Sequence, residues 1–422
     1  MLFMSLLKGA RVYLVSNILN AIIPFLLLPI LTRYLSPAEY GQIAMFQTLL
    51  AGIGTFIGLN AVGAAERKFY DGDVSETVLK EFNGSCMQIL AVSSVLVFIC
   101  IALFQQQLSE FLAIPTSWVL AAVGISILGF ISRIRLGQWQ IRNQAKLFGM
   151  LQVSSSLINM LLSILFVVVL EQGAEGRIDA QVITGLIATM VALAWLYKDN
   201  LLQVRLWRPT YIKEVLAFGV PLMPHSIGGV LLNLYDRFVI NQQLGIVDVG
   251  IYMVAVQLSS AMLIVFDAIN KAYVPWLFER LKHNDAQEKQ KIVKNTYIYM
   301  VSILLLAGLA FWIGPLFITL IAGDKYKAAG EIIGWLCLGQ AFSGMYLMVT
   351  NYIFFSKKTS YLACITIIAG LINVILLFVF AKQFGLVGVA MAFTLSKLIH
   401  FIMTFYISNN AYKMPWGLKI ND

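Results

Sequence analysis

The residues in this chain that could do chemistry are few, and most are charges set among apolar neighbours. Asp236 and Arg237 stand side by side in NLYDRFVI, Asp267 and Lys271 lie four apart, and Lys397 interrupts a long apolar run. His225 follows Pro221 and Pro224, while Arg11 and Arg67 mark the edges of two further apolar runs. At membrane depth such groups cost several kcal/mol unless paired or hydrated, so each asks for a partner. Arg and Lys at several depths would suit an anionic headgroup, a diphosphate in particular, through charge-assisted hydrogen bonds. Asp236 and Arg237, as helix neighbours, face different ways. Either one lines a cavity while the other snorkels outward or joins another helix, or both anchor a helix end. Asp267 and Lys271 have the spacing of an intrahelical ion pair, with a cytoplasmic gate or headgroup contact as the alternative. His225 either carries a proton, since imidazole titrates near neutral pH, or bonds a carbonyl freed by the prolines. Lys397 falls near the middle of its run, beyond easy snorkelling. Arg11 and Arg67 suit topology signals or headgroup contacts.

Other chemistry is missing from the pattern. The chain has no P-loop, HExxH or GxSxG, and its three His residues are far apart. Cys86, Cys100, Cys337 and Cys364 lack CxxC spacing. No enzyme, cofactor, metal site or disulfide is expected.

The elements that must position these charges are helices in lipid. Hydrophobic residues make up 59% of the 422 and charged ones 12%, with a mean hydropathy of +0.82. A soluble domain carries roughly twice that charge fraction. Apolar runs of membrane-spanning length fall at about 12–32, 41–63, 84–104, 116–134, 150–170 and 180–197. A second set follows at about 215–240, 250–273, 293–314, 331–354, 360–380 and 386–407. With the N-terminus in the cytoplasm, inner segments hold 23 of the 30 Lys and Arg residues and outer loops five, Arg33, Arg177, Lys325, Lys327 and Lys382. That bias puts both termini inside and accounts for the net charge of +9 without nucleic acid. The segments 198–214 and 274–292 are polar enough to form short helices at the lipid surface.

The chain also repeats itself. Leu35, Glu39 and Gly41 recur 209 residues later as Leu244, Asp248 and Gly250. Leu157-Ile158-Asn159 recurs at Leu371-Ile372-Asn373, and Gly173, Gly176 and Ala180 recur at Gly385, Gly388 and Ala392. Six helices per copy is an even number, so both copies enter the membrane from the same side. The expected fold is therefore an all-α polytopic membrane protein of about twelve helices, in two six-helix lobes related by a pseudo-two-fold axis along the membrane normal. The boundaries are 1–197 for the first lobe, 198–214 for a cytoplasmic linker and 215–422 for the second lobe. Two such lobes suggest a cavity and transport. The intramembrane charges concentrate in the second copy, because Asp236 and Arg237 align with Leu27 and Leu28, and Lys397 aligns with Gly185.

Four stretches carry a family resemblance: TRYLSPAEYGQIA, LYDRFVINQQLGIVDVGIYMVAVQLS, Pro275 towards the end of the eighth run, and LINVILLFVFAKQFGLVGVAMAFTLS. Their order and spacing over the whole chain resemble the polysaccharide-exporter branch of the multidrug/oligosaccharidyl-lipid/polysaccharide (MOP) exporter superfamily, most closely its O-antigen repeat-unit flippases. The resemblance implies a bacterial inner-membrane protein that moves an undecaprenyl-diphosphate-linked oligosaccharide between leaflets by alternating access, coupled to H+ or Na+. It further implies V-shaped lobes, a cavity lined by the first, second, seventh and eighth helices, and the lipid tail held outside along the lobe interface. Membrane lipids, a polysaccharide polymerase and a chain-length regulator are the partners it suggests. Asp236 and Arg237 match the family's acid-base dipeptide. A capsular, exopolysaccharide, teichuronic or peptidoglycan-precursor flippase and a multidrug antiporter share the architecture. A membrane glycan polymerase fits less well, since the large outer loop that would bear its chemistry is missing.

Overall fold

Backbone in hydrocarbon must satisfy its own hydrogen bonds, which leaves helices or closed barrels. The computed structural model describes residues 2–72, 74–356, 358 and 360–417, with the side chains of 2–11, 14, 225, 231, 232, 360, 361 and 363 outside that description. Among the described residues there are helices and no strands. They are α1 (Leu2–Tyr34), α2 (Pro37–Phe56), α3 (Ala61–Lys68), α4 (Glu76–Leu103), α5 (Gln105–Leu112), α6 (Thr116–Ile141) and α7 (Ala145–Ile164). A π-helical turn, Leu165–Val169, prolongs α7. Then follow α8 (Gly173–Lys198), α9 (Pro209–Gln243), α10 (Ile246–His283), α11 (Ala286–Ala322), α12 (Ala329–Phe355) and α13 (Ser360–Ala411).

Nine described helices are long and apolar enough to cross a membrane, or eleven if each of two bent pairs is one span. One bent pair is α2 and α3, broken where Gly58, Leu59 and Asn60 all take positive φ. The run at 41–63 is thus two helices, and Ser93 Oγ accepts the freed Gly58 N–H at 2.9 Å. As a straight rod, the 52 residues of α13 would reach about 78 Å, against roughly 30 Å of hydrocarbon. Gly385, at φ 59°, breaks it. Reading that break as a loop gives a helix to each of the twelve apolar runs.

The internal repeat is visible in the helix ends. α1 and α9 end at Tyr34 and Gln243, and α2 and α10 begin at Pro37 and Ile246, both pairs 209 apart. Gly173 and Gly385 both adopt the left-handed region, at φ 60° and 59°, where any residue with a Cβ would be strained.

The chain forms two compact units, Met1–Val230 and Leu231–Asp422. In the first, α1 packs on α7 and α6 on α8; in the second, α12 packs against α10, α11 and α13. The division falls inside α9, past the expected linker, because the polar segment after α8 is laid on the first unit. Residues 201–208 form no helix. Asn83 Nδ2 donates to the Leu201 carbonyl at 3.0 Å, and Gln88 Nε2 donates to those of Val204 and Leu206 at 2.8 and 3.0 Å. Arg208 pairs with Glu81 at 3.0 Å. Side chains of α4 thereby replace the bonds that a surface helix would have made. The start of α9 follows the same face: the Tyr211 ring sits 5.8 Å from Phe82, Lys68 meets Glu214 at 2.7 Å, and Val215 is fully buried.

The second expected surface helix, over 274–292, is also absent. α10 runs through Pro275 to His283, and Asp285 then caps α11 by accepting from the N–H groups of Gln287 and Glu288. A tight turn between two long helices replaces a helix lying flat.

Gly84 lets the 201–208 segment approach, since a Cβ there would lie 1.8 Å from the Gln203 carbonyl oxygen, whereas one at Gly52 would meet nothing within 4 Å. Gly84→Ala should therefore cost about 1–3 kcal/mol through overpacking. Gly52→Ala should be neutral or slightly stabilising. Melting temperatures of the two variants in detergent check this, and equal shifts would mean that the segment does not depend on its contact with α4.

Candidate functional site

In the second unit the helix ladder brings a charged cluster together. Asp236 and Arg237, on the last turns of α9, are each 9% exposed. Tyr252, nearly two turns into α10 and fully buried, donates its hydroxyl to Asp236 Oδ2 at 2.7 Å. The Arg237 N–H donates to Asp236 Oδ1 at 2.8 Å, and Arg237 Nε lies 2.8 Å from Met253 Sδ. Neither side chain snorkels outward; of the expected alternatives, contact with another helix is the one seen, with Asp236 on Tyr252 and Arg237 on Met253 of α10. Both turn inward because α10 supplies polar and polarisable atoms within reach. Lys397, on α13, is half-buried and stands 5.3 Å over the Phe393 ring. One turn further, His400 stacks on Tyr346 with ring centroids 4.3 Å apart. His400 was not among the expected site residues, and a lone histidine in an apolar run gives little reason to single it out.

Asp236 and Arg237 are thus buried together against α10, and half-buried Lys397 is a third charge of the same unit. The first unit places Leu27, Leu28 and Gly185 at the matching positions, with both leucines buried. Buried charge where apolar packing is available is no gain in stability.

The remaining expected site residues lie elsewhere. Asp267 and Lys271 form the intrahelical ion pair at 2.6 Å on an exposed face of α10. Arg67 is exposed at the end of α3, its guanidinium 5.5 Å from the Phe218 ring. The side chains of His225 and Arg11 lie outside the described residues.

Two arginines correct the expectation that intramembrane charge concentrates in the second copy. Arg135 is fully buried, ion-paired with Asp199, and stacked 4.2 Å from the Trp139 ring. Arg177, expected in an outer loop, lies in α8 and donates to Asn159 Oδ1 at 2.7 Å and Ser163 Oγ at 2.8 Å. The glycines at 173 and 176 look like loop, yet α8 begins at Gly173 and draws Arg177 into the bundle.

Duplicated helical units with charges at membrane depth are the organisation of many secondary transporters. The chain belongs to the polysaccharide biosynthesis protein family, whose model matches residues 6–281. It is similar to the capsular polysaccharide biosynthesis protein CapF of Staphylococcus aureus, 22% identical over 415 residues that cover 95% of this chain and 98% of CapF. It is also similar to Agl15 of Haloferax volcanii, a probable low-salt glycan biosynthesis flippase, at 20% identity over 95% of this chain and 83% of that one. Among solved structures, the lipid II flippase MurJ in an inward closed conformation matches with a TM-score of 0.76 at 15% identity, covering 94% of this chain and 87% of MurJ. At that identity the likeness speaks for the fold alone. Family and fold agree with the resemblance to the MOP superfamily's polysaccharide exporters, and the protein is a multi-pass membrane protein of the polysaccharide biosynthesis family.

Two variants test the cluster and the buried arginine. Tyr252→Phe should destabilise the protein by roughly 2 kcal/mol, since the Asp236 carboxylate loses a charged hydrogen bond. Asp199→Asn should cost on the order of 3 kcal/mol and exceed Arg135→Met, because only the former leaves a fully buried charge without its counterion. Thermal melts in one detergent decide both, and the reverse order for Asp199 and Arg135 would mean that water reaches the guanidinium.

Proposed function

We propose that the protein flips an undecaprenyl-diphosphate-linked oligosaccharide, an O-antigen repeat unit, from the cytoplasmic to the periplasmic leaflet of a bacterial inner membrane. Both termini lie in the cytoplasm in this reading, in keeping with the distribution of Lys and Arg. The observation that carries it is that the second unit has Asp236, Arg237 and Lys397 where the first has Leu27, Leu28 and Gly185. A diphosphate with its attached sugars cannot shed its hydration in hydrocarbon without replacement partners. Arg237 and Lys397 supply positive charge suited to it, while the Tyr252 hydroxyl and the Arg237 backbone N–H hold the Asp236 carboxylate. Alternating access then exposes the site to one side at a time, with an H+ or Na+ gradient driving the cycle. A polysaccharide polymerase and a chain-length regulator would take the unit onward.

A capsular repeat unit is the second reading. Similarity to CapF over nearly the whole chain favours it, and the same diphosphate chemistry serves both.

The test is flipping of a defined lipid-linked oligosaccharide in proteoliposomes, with and without ion gradients. Lys397→Ala should lower the rate about tenfold, the equivalent of roughly 1.4 kcal/mol, and Lys397→Arg should retain most of it. Wild-type protein that leaves the substrate in its original leaflet under every gradient would refute the proposal. Equal rates for wild type and both variants would remove Lys397 from the pathway.

A further inference from the structure

The first unit carries a lane on its apolar surface. Only 11% of the apolar window of α7 is buried, so this helix meets the bilayer along most of its length. Between it and α8, bordered by Val12 and Ser16 of α1, runs a cavity of about 610 Å³. Leu147, Met150 and Leu157 line it from α7, and Ala188, Val191 and Trp195 line it from α8. Ser154 and Ala188 are the short side chains that leave it room. Lys146 stands at one end and Trp139 of α6 beside it. From Lys146 to Ile158 the lining of α7 extends about 18 Å, close to the roughly 15 Å depth of one hydrocarbon leaflet.

Charge gathers at the Lys146 end. Exposed Lys198, the last residue of α8, stands 4.4 Å over the Trp195 ring, and Lys146 is exposed as well. Neither lysine forms an ion pair among the described residues. The acids at that end of the bundle are already committed, Asp199 to Arg135 and Glu76 to Arg142. Trp139 is 1% exposed and packs edge-on against Trp195, yet its indole N–H has no acceptor among the described residues. A buried donor in that state costs free energy until an acceptor arrives. A phosphate at the lysines, an ester carbonyl at the indole and a hydrocarbon chain along the lane are, in that order, the parts of a phospholipid. Indole rings hold that level in membranes, with their apolar body in the chains and the N–H towards the polar layer.

We propose that this lane binds one acyl chain of an anionic diacyl phospholipid, with the phosphate at Lys146 and Lys198 and an ester carbonyl accepting from the Trp139 N–H. The second chain stays in the bilayer. The lipid is a bound partner of the first unit and not cargo, so the proposal stands apart from the flippase reading. It gives Lys146 and Lys198 a ligand of opposite charge, and it fills a space between α7 and α8 that no described side chain occupies.

The experiment uses the purified full chain in detergent, offered equal amounts of phosphatidylglycerol and phosphatidylethanolamine with the same acyl chains. Native mass spectrometry should show phosphatidylglycerol retained in preference. Lys146→Gln combined with Lys198→Gln should lower that retention about tenfold. Ser154→Leu fills the lane from an exposed position, keeps both lysines, and should lower retention about fivefold. Trp139→Phe keeps an aromatic ring against Arg135 and should lower it about threefold. Phosphatidylglycerol with a diazirine midway along one acyl chain should label peptides within 146–158 or 187–195. Equal retention of the two lipids would overturn the proposal. A Ser154→Leu variant that retains as much as the wild type would overturn it too, since surface charge alone would then explain binding. Competition by glycerol phosphate at the same concentration would mean a site for a free anion, and labelling confined to other helices would put the lipid elsewhere. Either result removes the phospholipid from the lane.

Discussion

A polar group surrounded by hydrocarbon has no water to fall back on, and the fold depends on that constraint. It explains why irregular backbone is confined to places where side chains can serve it. The 201–208 carbonyls accept from Asn83 and Gln88, and the Gly58 N–H goes to Ser93. It also explains why a charge at depth is found with others. Arg135 takes Asp199 and the face of Trp139, and Arg177 takes Asn159 and Ser163. Asp236 takes Tyr252 and the backbone of its neighbour. Each partner comes from another helix or from the next turn, so the charges help fix which helices are adjacent.

Much of the architecture was legible in the sequence because long apolar runs have one solution in lipid. The repeat was legible for a related reason, since Gly173 and Gly385 occupy a backbone region closed to most residues and mutation there is costly. What the sequence concealed were breaks and continuations within those runs. The positive φ values at Gly58, Leu59 and Asn60 split a run that reads as continuous, while α10 continues past Pro275 and a polar stretch that reads as a boundary. Helix ends are decided by local hydrogen bonds, and periodicity does not report them.

The candidate site divides in the same way. Asp236, Arg237 and Lys397 could be picked out because a charge in an apolar run is conspicuous. Tyr252 and Met253 could not, since each is an ordinary residue of a membrane helix until α9 sets a carboxylate or a guanidinium beside it. Arg177 was misplaced, and Arg135 passed over, for the opposite reason. Near a helix end, counting residues cannot distinguish a side chain that meets headgroups from one that turns into the bundle. Asp199 and Asn159 decide the matter, and both are distant enough that no local pattern links them.

Duplication makes the differences between the units informative, because two copies of one scaffold inherit the same packing problem. The first copy solves it with apolar residues at Leu27 and Leu28. The second copy sets Asp236 and Arg237 at those positions. That exchange gives up apolar burial that the first copy shows to be attainable, and the carboxylate is held instead by hydrogen bonds from Tyr252 on α10 and from the backbone of its own helix.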